Sequence, residues 1–578
     1  MGRDANTVVD AGRRGTRDRG TAHRSGASLA ALLAYLVLAV AVTWPLARHL
    51  DATLPLGTEP VATVPLFNLW TLWWNADRAL HLGVDYWNAP IFFPAESAFA
   101  FSEAQPTTVV VAPLVWASET PAAAYNVYLL VALALNGLAS FRLLRRLALG
   151  VLPAALGGAM VELLPFVHWQ LGVLQLVSVF GIVWTIHALV DFGEGPSLRR
   201  AVALGLAFAI TYLLCNHHGL FLSVLLLAAG GWLLGRELLR WRTWLQLLAA
   251  VALTLIVVAP VVHVQWKAAQ EYRWERRSDA VADLSATWSD YTRSPWPPRE
   301  PAFTPPAPAR GNGFPLHPGT VMGVLAIAGL AWGLSRRRHR RVAAFGLTLA
   351  GAAIVLSLGP QLRVGPVVPY ELLAGHYPGF EHIRNAHRFA LFAQLAVAVL
   401  AALGLEAVAV ALGRRSSSRG RGIAVAVLGA AAVFEIWPPP QRLYFLPDAE
   451  AGRTWIAWLE AETPPGSPVV CVPMARGGRA RDTLETALWM YWGTQHRRPL
   501  LNGYSGFFPP PAARLQTAMK AFPDAHSLRL LRKRGARYAV VRRAVARREA
   551  IARDAKLASR LHWVFGDDRA GLDVYAIE

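Results

Sequence analysis

The sequence predicts a polytopic α-helical membrane protein with a small α/β domain at its C-terminal end. Of the 578 residues, 54% are hydrophobic and only 16% are charged, whereas soluble domains carry about a quarter charged residues. Apolar stretches long enough to cross a bilayer recur as far as residue 437,. After residue 437 the pattern changes to amphipathic segments and short β-type runs. Only two cysteines are present, which excludes a disulfide-stapled scaffold.

We predict about eleven transmembrane helices, each near the length that a bilayer requires. They cover 27–46, 122–141, 151–167, 173–190, 201–215, 219–235, 243–263, 319–335, 342–358, 389–412 and 422–437. Residues 1–26 form an Arg-rich tail that we expect to be disordered, 27–437 a transmembrane domain, and 438–578 the α/β domain. We expect the first span to remain uncleaved, because its apolar core is long and no small-x-small site follows it.

The arginine clusters predict the orientation of the spans. They fall in the tail and in the connections after the second, fourth, sixth, eighth and tenth spans, and short Arg-rich loops stay in the cytoplasm. We therefore expect the N-terminus on the cytoplasmic side of the cytoplasmic membrane and the C-terminal domain on its outer side. The outer loops are then 47–121, 264–318 and 359–388. Within the first, the apolar run 107–117 is too short to cross and predicts a re-entrant or interfacial helix.

The formal net charge of +20 suggests a nucleic-acid partner until its distribution is considered. The predicted cytoplasmic segments carry +17 and residues 438–578 carry +9, whereas the first outer loop carries −5. The excess is therefore chiefly a topology signal, and we expect no nucleic-acid partner. Attraction of the basic segments to anionic lipid head groups or lipid phosphates is the alternative.

The C-terminal domain combines two kinds of pattern. Amphipathic helices are predicted at 453–462, 512–521, 526–534 and 547–560, and strands at 469–472, 538–541, 563–565 and 572–577. Gly566-Asp567-Asp568 is predicted to be the turn of a closing hairpin.

The first outer loop holds the candidate chemistry. It carries Glu59, Asp85 and Glu103, and between them an amphipathic stretch, 64–80, whose three tryptophans predict a helix lying in the membrane interface,. Carboxylates near a membrane surface can act as general bases or as metal ligands. Solvated loop acids and helix caps are the alternative.

Several short motifs follow one another in a recognisable order. They are Gly57-Thr58-Glu59-Pro60, Leu69 to Trp74, Ile91-Phe92-Phe93-Pro94, Ser102-Glu103-Ala104, Arg384-Asn385-Ala386-His387-Arg388-Phe389 and Gly503 to Phe507. In this order the chain resembles the GT-C superfamily, and more closely a group of bacterial GT-C-like membrane proteins. Glu59 stands where that group usually has Asp, Ala104 where it has His, and Ala386 where it has Pro.

The resemblance implies a glycosyltransferase that uses polyprenyl-phosphate-linked sugars, with Glu59 as the catalytic base. Asp85 and Glu103 are then substrate or metal contacts. The carboxylates of the loop can hold a divalent cation such as Mg²⁺ or Mn²⁺, although no motif in the loop specifies a metal. Arg384 and Arg388, four residues apart, share a helix face if the tenth span begins there, and their guanidinium groups suit a lipid phosphate. Snorkelling at a helix end is the equal alternative.

Histidines in the predicted outer turns are further candidates. His168 could contact a sugar hydroxyl, although placement at the interface is the alternative. His217 and His218 predict a polar loop, or one imidazole turned toward the cavity; adjacent helical residues point about 100° apart and do not easily share a metal.

We therefore expect a membrane enzyme that passes a sugar from a polyprenyl phosphate to a cell-envelope glycan, lipid or protein. The competing class is a non-catalytic GT-C-like protein that transports lipid or glycan, or that serves as an envelope-assembly scaffold. Ala104 favours the competing class, and the acidic, Trp-rich first outer loop favours the enzyme.

Overall fold

The computed structural model describes residues 26–118, 120–274, 278–294, 296, 313–413, 416–475, 477, 479–546 and 548–578. The predicted N-terminal tail lies outside the described residues, except for residue 26.

Helices dominate the described chain. In order they are α1 Gly26–Val42, α2 Thr63–Leu80, α3 Ala112–Ala117, α4 Ala122–Arg146, α5 Val151–Glu162, α6 Pro165–Trp169, α7 Leu174–Val177, α8 Phe180–Glu194, α9 Leu198–Leu214, α10 Asn216–Leu234, α11 Trp241–Tyr272, α12 Ser278–Asp283, α13 Thr320–Ser335, α14 Arg340–Ser357, α15 Pro369–His376, α16 Ala390–Leu412, α17 Ser418–Glu435, α18 Ala449–Glu462, α19 Leu484–His496, α20 Pro510–Ala518, α21 Ala525–Lys533, α22 Arg548–Arg553 and α23 Ala555–Ala558.

Seven helical segments within the described residues are long and apolar enough to cross a membrane. They are Ala122–Arg146, Val151–Trp169, Leu174–Glu194, Asn216–Leu239, Trp241–Tyr272, Arg340–Ser357 and Ala386–Leu412. The four other predicted spans coincide with α1, α9, α13 and α17, which are helical but shorter or less apolar. The chain is therefore a multi-pass membrane protein, as predicted.

Close backbone contact between α13 and α16 holds two of these helices together. A Cβ added at Gly329 would lie 1.9 Å from the Leu400 carbonyl oxygen, and one at Gly404 would lie 2.1 Å from the Leu325 carbonyl oxygen. Small residues allow this approach, which is the usual means of helix association where the surrounding lipid is as apolar as the helices.

The first outer loop is folded into the protein. Its strand β1, Thr53–Pro55, pairs antiparallel with β2, Leu443–Phe445, and so joins the loop to the start of the C-terminal segment. The loop helix α2 is buried almost all round, and the indoles of Trp70, Trp73 and Trp74 are 1%, 7% and 5% exposed. The expectation that this helix lies in the membrane interface is wrong, because α2 packs against α3 and α19 instead.

The apolar run 107–117, which is too short to cross a bilayer, lies in a 3₁₀-helix, Pro106–Val111, and in α3, which continues it. Pro106–Ala117 together is an apolar helix shorter than the seven membrane-length segments.

The C-terminal segment contains a four-stranded sheet of β3 Val469–Val472, β4 Tyr538–Arg542, β5 Leu561–Asp567 and β6 Leu572–Ile577, in the order β3-β4-β6-β5. β3 and β4 are parallel, and the other two pairs are antiparallel. The predicted hairpin exists, but its turn begins after Asp567, since β5 continues through Gly566 and Asp567 to pair with β6. The predicted last helix is two helices, because Asp554 caps the start of α23.

Candidate functional site

Glu59 is presented by a turn that is docked on α6. The Thr58 N–H and hydroxyl both donate to the Trp169 carbonyl, at 3.1 and 3.0 Å. Gly57 has φ +56°, and a Cβ there would lie 2.8 Å from the same carbonyl oxygen, so only glycine fits this turn without strain,. Glu59 itself is half-buried. Burial raises the pKa of its carboxyl group, and the nearby charge of Arg388 acts in the opposite direction.

Glu103 is buried against the N-terminal end of α10. Its carboxylate accepts from the Asn216 N–H at 3.1 Å, from His217 Nδ1 and from the Cys215 thiol. Burial by itself would raise the pKa of Glu103, but the pairing with His217 and the charge of Arg388 outweigh it and lower the pKa to about 2. Glu103 is therefore an anion at neutral pH, held by donors from a helix more than a hundred residues away.

Arg388 is the residue that connects the two carboxylates. Its charge interacts with Glu103, Arg384 and Glu59, and its terminal NH1 lies 3.5 Å from His217 Nε2. The Nε atom of Arg388 is buried, and no hydrogen-bond partner is found for it among the described residues.

The expectation that Arg384 and Arg388 share one helix face is wrong. Residues Ala386–Phe389 form a 3₁₀-helix, and α16 begins only at Ala390. In an α-helix that included Arg384, the His387 N–H would donate to the Ile383 carbonyl. It donates instead to the Leu284 carbonyl in the second outer loop, at 3.1 Å. Arg384 is exposed and Arg388 half-buried.

A loop of the C-terminal segment completes the site. The Phe507 N–H donates to the Phe101 carbonyl, at 3.0 Å, two residues before Glu103 in the chain. The Phe507 ring stacks on Trp274 of the second outer loop, with centroids 4.1 Å apart. The charges of Arg384 and Glu59 both act on the hydroxyl of Tyr504 in this loop. First loop, second loop and C-terminal segment therefore meet at one place.

Two of the predicted site residues stand apart from this cluster in the contacts of the described chain. Asp85 is exposed, with φ +55°, in the turn region after α2. His168 is buried with its Nε2 3.1 Å from the Glu162 carbonyl oxygen, and its Nδ1 has no hydrogen-bond partner among the described residues. The structure brings together Glu59, Glu103 and Arg388, with Arg384 at the exposed margin.

Glu103, Cys215 and His217 offer metal-ligand atoms within 4.8 Å of one another, and no other such group of three is found in the described ranges. A carboxylate, a thiol and an imidazole suit Zn²⁺-like ions, whereas Mg²⁺ and Mn²⁺ favour sets of oxygen ligands. Glu59 and Asp85 do not belong to this group.

Sequence reasoning missed Cys215 as a member of the site and left the role of His217 open. The available signal was their position in a predicted outer turn, next to His218 and Asn216. His217 contacts Glu103, whereas His218 is buried and packs near Phe392.

No protein-family model matches the sequence, and no curated protein matches it. Solved structures do match. The mycobacterial arabinofuranosyltransferase AftD has a TM-score of 0.58 at 16% identity over 95% of this chain, and a second structure of AftD has a TM-score of 0.53 at 17% identity over 96%. The oligosaccharyltransferase AglB from Archaeoglobus fulgidus, solved with an inhibitory peptide and a dolichol-phosphate, has a TM-score of 0.50 at 13% identity over 89%.

The chain spans 41% of the length of AftD and 69% of that of AglB. Both are GT-C glycosyltransferases. At these low sequence identities, the similarity to AftD and AglB shows a shared fold and nothing further. The resemblance predicted from the order of the motifs is confirmed at that level: the chain is a multi-pass membrane protein with a GT-C-like fold.

Proposed function

We propose that the chain is a membrane glycosyltransferase that takes a sugar from a polyprenyl phosphate and passes it to a cell-envelope acceptor on the outer face of the cytoplasmic membrane. The observation that carries the proposal is the position of Arg388, whose charge acts on two carboxylates of the first outer loop, Glu59 and Glu103. A transferase of this kind needs a base for the acceptor and a cation for the leaving phosphate.

In the proposed reaction, Glu59 acts on the acceptor and the two arginines act on the leaving phosphate. Glu59 accepts the proton of the acceptor hydroxyl as that oxygen forms a bond to the anomeric carbon. The bond from the anomeric carbon to the phosphate oxygen breaks, and the polyprenyl phosphate leaves with the electron pair. Arg388, with Arg384 at the exposed margin, stabilises the charge on that phosphate. The raised pKa of Glu59 suits a base that works near neutral pH,.

The proposed orientation has eleven crossings, with the N-terminus in the cytoplasm and residues 438–578 outside. The first outer loop, the start of α10, the start of α16 and the loop with Tyr504 all contribute to one cluster, which supports a common face of the membrane for all four. Alternating crossings through α4 to α16 put these segments on one side, opposite the arginine clusters.

Acceptor binding is the role that we propose for the C-terminal domain. Its loop at Tyr504 is anchored to the segment that carries Glu103 through Phe507, so an acceptor held by this domain would reach Glu59. Asp85 is exposed, and we propose it as a contact to the outer part of a substrate. His168 is buried beside the Glu162 carbonyl and is not proposed as a substrate contact.

The test is sugar transfer by the purified full-length chain in proteoliposomes, supplied in turn with a panel of polyprenyl-phosphate sugars and with envelope glycan and lipid acceptors. The proposal expects one donor to give a glycosylated product. The rival function is lipid or glycan transport without transfer. It is favoured by the burial of the apolar side chains of Ala104 and Ala386, at 1% and 0% exposure, where the family motifs have His and Pro. Movement of intact donor across the bilayer with no product would support the rival.

A further inference from the structure

We propose that Glu103 and His217 form a positioning pair that fixes the guanidinium group of Arg388 for a phosphate oxygen. The inference rests on the proposed function only for the nature of the ligand, a polyprenyl phosphate. His217 then acts through Arg388 and does not touch the substrate.

The pair determines which nitrogen of His217 carries the proton. Glu103 is a carboxylate whose contact is with Nδ1, so Nδ1–H is the donor. The lone pair is then on Nε2, where it faces Arg388 NH1 at 3.5 Å,. Glu103 cannot rotate away easily, since the Asn216 N–H and the Cys215 thiol also donate to it. The result is a connected path from the N-terminal end of α10 through the imidazole to the guanidinium group.

Arg388 held in this way retains an unused donor. Its Nε is buried without a hydrogen-bond partner among the described residues. Leaving a buried donor of a charged group unpaired is costly, and a ligand oxygen removes that cost. The planar fork of arginine matches phosphate oxygens, so an anion with several equivalent oxygens fits this donor better than a neutral sugar hydroxyl.

A metal ion at Glu103, Cys215 and His217 is the competing explanation for the same atoms. A histidine that binds a metal through Nδ1 normally donates its Nε2–H to an acceptor. Here Nε2 faces an arginine, which can only donate,. The pairing of His217 with Glu103 therefore explains the contacts of both ring nitrogens of His217, whereas a metal site explains only the contact of Nδ1.

The experiment measures binding of farnesyl phosphate to the full-length chain in lipid nanodiscs, with farnesol as the uncharged probe of equal chain length. The variants are His217→Phe, which keeps the ring but removes both hydrogen bonds, His217→Gln, which keeps a donor and an acceptor, and Arg388→Met. We expect His217→Phe to weaken farnesyl phosphate about 10-fold and farnesol not at all. His217→Gln should recover most of that loss. His376→Phe, at an exposed outer histidine, is the matched control and should bind as wild type.

A double-mutant cycle separates positioning from a merely structural role. If His217 acts through Arg388, then His217→Phe added to Arg388→Met should cost no further affinity. An additive loss, or an unchanged affinity in His217→Phe, overturns the proposal. So does a wild type that binds farnesyl phosphate no better than farnesol. A wild type that binds farnesyl phosphate and transfers no sugar overturns the proposed function alone.

Metal analysis of the same preparations distinguishes the positioning pair from a metal site. We expect no stoichiometric zinc in the purified chain. Zinc that is present in wild type and in Cys471→Ser, but lost in Cys215→Ser, overturns the positioning pair in favour of the metal site. The comparison is direct because Cys215 and Cys471 are the two cysteines of the sequence, and both are free and buried.

Discussion

Arg388 NH1 lies 3.5 Å from His217 Nε2, although 171 residues separate them in the chain. Through this contact and the contact of His217 with Glu103, the start of α16, the start of α10 and the first outer loop converge. Three segments that are distant in sequence thus meet in a charged cluster within a largely apolar protein.

The pH dependence of transfer should report Glu59. Burial raises the pKa of its carboxyl group above the ordinary value of 4.5, and the charge of Arg388 opposes that rise. Glu59 and Arg384 both act on the hydroxyl of Tyr504. The base is active when deprotonated, so kcat/KM should fall as the pH drops through this raised pKa. Arg388→Met removes the opposing charge and should move the acidic limb to higher pH. A limb that stays in place when Arg388 is replaced would contradict the assignment.

The turn before Glu59 should tolerate only glycine. Gly57→Ala places a Cβ 2.8 Å from the Trp169 carbonyl oxygen at φ +56°, so we expect a loss of stability of about 1–3 kcal/mol and displacement of Glu59. Gly83→Ala is the matched control, since φ is +78° but no atom lies within 4 Å of the added Cβ. Thermal unfolding in detergent should show the larger loss at Gly57. Equal losses would mean that backbone strain alone, without the contact to α6, explains the glycine.

The contact between α13 and α16 should likewise tolerate only glycine at position 329. Gly329→Ala forces a Cβ to within 1.9 Å of the Leu400 carbonyl oxygen, whereas Gly323→Ala in the same helix meets nothing within 4 Å. We expect Gly329→Ala to lower the unfolding temperature, at a cost of about 1–3 kcal/mol for overpacking. Gly323→Ala should be neutral or stabilising by up to about 1 kcal/mol. A stable Gly329→Ala variant would show that the helices are not in close contact.

Chemical labelling of introduced cysteines tests the proposed orientation. In a background with Cys215 and Cys471 replaced by serine, Arg569→Cys and Arg337→Cys each introduce one exposed thiol. A membrane-impermeant maleimide should label Arg569→Cys in intact cells, and should label Arg337→Cys only after the membrane is opened. The reverse result would place the C-terminal domain in the cytoplasm.

The membrane helices could be predicted because bilayer thickness imposes a length and an apolar composition that are local properties of the sequence. The burial of α2 could not, because its tryptophans suit an interface as well as a core, and the surface that covers them comes from α19. The predicted start of the tenth span, residue 389, lies within one residue of the start of α16. The 3₁₀-helix before it could not be predicted, because the Leu284 carbonyl that accepts from the His387 N–H is about a hundred residues away in the chain.

Of the site, Glu59, Glu103 and Arg388 were found through motifs, and the structure brings them together. The partner of Glu103 was not found. The sequence has Ala104 where the resembling group has histidine. The position of His217 in a predicted outer turn left open an imidazole facing the cavity, but it does not indicate that this imidazole contacts Glu103, 114 residues away in the chain.

The role of Glu59 as the catalytic base is tested by single-turnover transfer from the polyprenyl-phosphate sugar that wild type accepts, measured with Glu59→Gln and with Glu96→Gln, an exposed glutamate of the same loop. Loss of a general base lowers the rate about 100-fold or more. We expect that loss in Glu59→Gln, with farnesyl phosphate binding retained, and we expect Glu96→Gln to be as active as wild type. Glu59→Gln that transfers sugar as fast as wild type would contradict this role.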